Sequence, residues 1–160
     1  MSDRYDSLQP PHIISTLRSM PRRWKSALYV APPKDIDELF GKAIGDHPSA
    51  AEHSGAALAQ LTILFDAIRT TGYSVPEPLG PEVQSALADK GSGPWPADAA
   101  EAIQSIGDTC EALADRLDAL APADWMRSTE GITVNDLARG AARVSAERLR
   151  QAERMIERLS

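Results

Sequence analysis

Two sets of side chains have spacings that could do chemistry. Arg143 and Glu147 stand four residues apart in a stretch of helical pattern, so both leave one helix face. Such a pair can close into a salt bridge. In a pocket, the carboxylate could move a proton while the guanidinium holds an anionic substrate. Glu52 and His53, with Glu147, are the candidate metal ligands, because imidazole nitrogen and carboxylate oxygen bind Zn²⁺-like ions. His12 and His47 lie far from His53 in sequence, and no histidine has another at i,i+4. Cys110 falls on an apolar stripe between Ile106 and Leu113, beside Glu111. It reads as a buried structural thiol, because a nucleophile needs an electropositive setting. Arg143, Arg150 and Arg154 read as solvated surface, or as a small anion pocket or partner face. No Gly-rich phosphate loop, zinc-finger spacing, kinase signature or nucleophile elbow is present.

The elements that must position these residues follow from bulk properties and periodicity. The 160 residues suffice for one domain with a real core. The net charge of −6 argues against a general nucleic-acid binder, which needs a basic face. One cysteine allows no internal disulfide, and a reducing cytoplasm is the expected compartment. The polar N-terminus has no apolar signal core, and no apolar run approaches the ~20 residues of a membrane span.

Residues 1–10 are expected to be a flexible arm, and 11–160 a single helical domain. Ile13, Leu17, Met20, Trp24 and Leu28 recur at spacings of three and four and predict a first helix over 12–29, with a kink or break at Pro21. A short helix is predicted over 35–43. Ser49, with Glu52 three residues on, is a capping box opening a second long helix to about residue 71, striped by Ala57, Leu61, Leu64 and Ile68. Residues 72–96 hold five prolines and read as loop, short helix over 82–90, loop. Ile103, Ile106, Cys110, Leu113, Leu117 and Leu120 mark a third long helix over 97–121. Thr133 and Asp136 cap the last, which buries Val134, Ala138, Ala142, Ser145, Leu149, Ala152, Ile156 and Leu159 and turns Arg139, Arg143, Glu147, Arg150 and Arg154 outward. Trp24, Trp95 and Trp125 are expected to pack. Nothing alternates with period two for long, so no sheet is predicted. The pattern gives an all-α fold, a four-helix bundle.

Segments 133–149 and 48–57 resemble the last helix and the start of the second helix of the DinB-like proteins, which include the mycothiol-dependent maleylpyruvate isomerases. Segments 17–24, 113–117 and 122–125 resemble that family's first helix with its internal proline, and its third helix and exit. The resemblance implies a DinB-like bundle with a long crossover between the second and third long helices. In metal-binding members, three histidines hold a divalent ion that activates a low-molecular-weight thiol. The corresponding positions here are Ala56, Arg143 and Glu147, none of them histidine. The resemblance therefore implies a non-catalytic protein on an enzyme-derived scaffold, a small-molecule-binding or interaction domain with a pocket at Ala56, Arg143 and Glu147. No cofactor is expected, Zn²⁺ and Ni²⁺ included. The ligand expected is a small anion or thiol, and a homodimer is a further reading; nucleic acid and membrane are not expected partners. The alternative is a thiol-dependent, mycothiol-type transferase or isomerase using Arg143 and Glu147.

Overall fold

A computed structural model describes residues 5, 7–73, 79–88 and 91–160. The described chain is mostly helical: α1 (Pro10–Ala27), α2 (Ile36–Phe40), α3 (Ala50–Tyr73), α4 (Pro81–Leu87), α5 (Ala99–Asp118) and α6 (Val134–Leu159), with a 3₁₀ turn at Pro122–Met126. Among the described residues, no helix is long and apolar enough to cross a membrane.

Local chemistry sets the helix ends. Pro10 and Pro11 occupy the first turn of α1, where a missing N–H costs nothing. The helix thus starts two residues before the predicted start, and it runs through Pro21 as one element. Pro21 faces α5 at Gly107, where an added Cβ would lie 3.3 Å from the proline ring. The Ser49 hydroxyl accepts from the Glu52 N–H at 3.1 Å and starts α3. Asp98 accepts from Glu101 N–H at 2.8 Å to start α5. Thr133 and Asp136 form both halves of a capping box, each bond 3.0 Å.

The four long helices share one apolar core. The expected stripes are its substance: Leu17, Met20 and Trp24, Leu61, Leu64 and Ile68, and Ile106, Cys110, Leu113 and Leu117 are all buried. Ile103 and Leu159 are half-buried against it. Helix α3 packs chiefly on α6 and α1 on α5, with α1–α6 and α3–α5 contacts joining the two pairs. The short helix α4 lies on α3 and α6.

Several expectations need correction. Ser128–Thr129 and Ile132–Thr133 pair antiparallel, a sheet too short for alternation to reveal. Its turn places Glu130 and Gly131 at φ 54° and 80°, as a two-residue hairpin with the strand twist requires. Trp95 does not pack; it is 54% exposed, whereas Trp24 and Trp125 are buried. Helix α6 is wrapped more fully than one stripe allows. Leu137, Ala141, Val144 and Met155 are also buried, and Arg139, Arg143 and Glu147 are only half-exposed. Of the expected arm, residues 1–4 and 6 lie outside the described residues. Tyr5 is buried, the Leu8 carbonyl accepts from Arg139 Nε at 2.8 Å, and Pro10 already belongs to α1.

The segment 91–96 docks on α3 through glycines. A Cβ on Gly55 would lie 2.7 Å from the Pro94 carbonyl oxygen and 3.0 Å from that of Gly93. We expect Gly55→Ala to destabilise the protein by about 1–2 kcal/mol in urea unfolding, because overpacking against backbone outweighs the helix propensity of alanine. Gly41→Ala, which meets nothing within 4 Å, should change stability by less than ~0.5 kcal/mol. A stabilised Gly55→Ala protein would show that this segment does not rest on α3.

Candidate functional site

Helices α3 and α6 run antiparallel, and a polar network crosses their contact. His53, Ala56 and Gln60 fall on one face of α3 by spacing, seven residues from first to last. Gln60 is fully buried and His53 is 7% exposed. From α6, Arg148 reaches both: its Nε donates to Gln60 Oε1 at 3.0 Å, and its Nη1 lies 3.2 Å from His53 Nδ1. The guanidinium therefore bridges two α3 residues that bracket Ala56.

Helix α4 closes the network. Gln60 Nε2 donates to the Ala86 carbonyl at 3.1 Å. Arg143 Nη2 donates to the neighbouring Leu87 carbonyl. A Cβ on Gly140 would meet the end of the Leu87 side chain at 2.5 Å, so α4 lies close against α6. The last carbonyls of α4, which its own ladder leaves open, are thus satisfied by Gln60 and Arg143.

The contacts fix the protonation of His53. A guanidinium can only donate, so Nδ1 must accept and the ring proton sits on Nε2. Burial, followed by the charge of Arg148, pulls the imidazole pKa from 6.5 down to about 4. A metal-binding histidine usually gives its second N–H to an acceptor. Here the second nitrogen faces a cation, which is the wrong partner for a ligand. Among the described residues, no three His, Cys, Asp or Glu side chains gather in a set that could hold a metal ion. Glu52 lies beside Ser49 in the first turn of α3, its backbone N–H taken by the cap.

Arg143, Glu147 and Ala56 all lie on the two helices that form this contact, with Ala56 buried. Sequence reasoning singled out Arg143 and missed Arg148, which carries the network. The signal was Gln60: a polar residue beside Ala57 and Leu61 in an apolar run needs a partner. Cys110 is fully buried, and desolvation pushes its thiol up to about 12, so it is held as an inert core residue. Grooves of about 500 Å³ between α3 and α5 and about 510 Å³ beside α1 are not lined by Ala56, Arg143 or Glu147.

His53 makes stability depend on pH. Between pH 6.5 and about 4 the unfolded chain binds a proton at this position that the folded one refuses. Stability is full above pH 6.5 and is lost as pH falls toward 4. Urea unfolding of the native protein should weaken across that window, and His53→Gln should flatten this part of the profile. An unchanged slope in the variant would place the imidazole outside the network.

No family model matches the chain, and no solved structure matches it. Among curated proteins, it is similar to the SbcC polypeptide of the nuclease SbcCD of Deinococcus radiodurans, with 30% identity over 118 residues. That stretch is 74% of this chain and 12% of the relative, so the chain spans about an eighth of the length of the curated protein it matches.

Proposed function

We propose that this chain is a non-catalytic DinB-like domain, a four-helix bundle whose crossover lies between α3 and α5, serving to bind a small molecule or a partner. Its support is one pair of contacts: the Arg148 guanidinium bonds Gln60 and His53, the two α3 residues that bracket Ala56 on its helix face. The DinB-like resemblance puts a divalent ion at that face in metal-binding members. A fixed cation there replaces the ion's charge but offers no open coordination position, and so no means to activate a thiol. The pairing of the four long helices and the short helix α4 in the 74–98 connection are consistent with this topology. The thiol-dependent alternative asks Arg143 to hold a substrate anion, yet its Nη2 already donates to Leu87. The similarity to SbcC covers too little of that protein to carry its activity here; helices rich in Ala, Leu, Glu and Arg align readily with one another.

The reading is tested by rebuilding the metal site. Ala56→His, Arg143→His and Glu147→His together should gain little Zn²⁺ affinity while Arg148 remains. Adding Arg148→Gln should raise affinity by about tenfold or more, since a half-buried cation fixed beside the ion repels it. Circular dichroism would confirm that both variants fold. Stoichiometric Zn²⁺ or Ni²⁺ in the native protein, lost on replacing His53 or Glu147, would overturn the reading.

A further inference from the structure

The outer end of the α3–α6 contact carries a second arrangement, away from Arg143. A cavity of about 280 Å³ is lined by His47 from the bend before α3, by His53 from the first turn of α3, and by Gln151, Arg154, Met155 and Arg158 from the end of α6. Among the described residues, no carboxylate lines it. Arg154 and Arg158 are exposed and make no hydrogen bond or ion pair among the described residues. Acids are not scarce in this chain, which has 23 acidic side chains against 17 Lys and Arg.

Arg150, Arg154 and Arg158 form a column at i, i+4 and i+8 on α6. Like charges at i,i+4 repel one another across a helix turn. Glu153 and Glu157 stand three residues on from Arg150 and Arg154, but neither closes an ion pair with them among the described residues. The two guanidinium groups at the cavity therefore keep their donors for an anion from outside. His53 lines the same cavity, and with its Nδ1 accepting from Arg148 its ring proton sits on Nε2. Met155 supplies an apolar wall.

We propose that this cavity binds a phosphate-type dianion, one per chain. Two guanidinium groups match two negative charges and can each donate two parallel hydrogen bonds to oxygen. The volume falls just below the ~300–1,000 Å³ of drug-sized ligand pockets, so the ligand is a free phosphate or a small phosphoryl group. The proposal rests on the binding-domain reading and gives it a ligand class. It is tested apart from that reading, because the metal experiment concerns the inner face at Ala56 and this one the outer cavity.

The test is calorimetric titration of the intact chain with inorganic phosphate, pyrophosphate and acetate at low salt. Phosphate or pyrophosphate should bind saturably, one per chain, and more tightly than acetate. Arg154→Gln with Arg158→Gln should weaken that binding by roughly tenfold or more. Because both side chains are exposed, the thermal unfolding of this variant should stay near that of the native protein. The charge-matched control Arg22→Gln with Lys25→Gln, on the exposed side of α1, should leave binding intact. The proposal is overturned by absent saturable binding, by equal affinity for acetate, or by equal loss in both double variants.

Discussion

The arrangement of three helices depends on satisfying one buried amide. Gln60 has no exposure to water, so both ends of its side chain must find partners or cost about 1–3 kcal/mol each. Its oxygen takes Arg148 from α6, and its nitrogen reaches the Ala86 carbonyl of α4. Arg148 needs a further acceptor and finds the imidazole of His53. Once Gln60 is placed, the pairing of α3 with α6 and the seat of α4 follow. Glycines make the room: a Cβ on Gly91 would lie 2.5 Å from the Gln60 side chain, and one on Gly140 would meet Leu87 of α4.

The other helix pair is held differently. Between α1 and α5 the contact is apolar in the middle and charged at the rim. Arg18 reaches Asp115 at 2.8 Å, Asp118 at 3.5 Å and Glu111 at 3.8 Å, and those carboxylates raise its pKa, the Asp115 hydrogen bond most. Exposed pairs of this kind orient more than they stabilise. Trp24, in the last turn of α1, is fully buried with its indole N–H unpartnered among the described residues. Its ring area, buried against the core, offsets that loss. Cohesion on this side is therefore apolar, while on the α3–α6 side it is apolar and polar together.

Much of the fold was legible because its determinants are local. The caps at Ser49 and Thr133 lie within three residues of their partners, and the core stripes repeat every turn. The start of α1 at Pro10 was missed because two prolines read equally as a break and as a first turn. The hairpin at Ser128–Thr133 was missed because two-residue strands have no period. The candidate site was only half legible. Arg143 and Glu147 share a helix face, which sequence shows, but the Arg148 network joins residues 88 and 95 positions apart. On α6, Arg148 looks like any surface arginine, and only the tertiary partner shows that it is not.

Ala-lined helix faces are smooth. Shifted by one turn, ~5.4 Å, the Ala-lined stretches of two such faces still meet methyl against methyl, so there apolar contact alone does little to distinguish one alignment of α3 and α6 from the next. In a shifted alignment Gln60 and Arg148 would be desolvated without each other, a penalty that smooth surfaces cannot repay. The half-buried fork thus works as a vernier mark: it widens the gap between one packing and a family of near-equivalents.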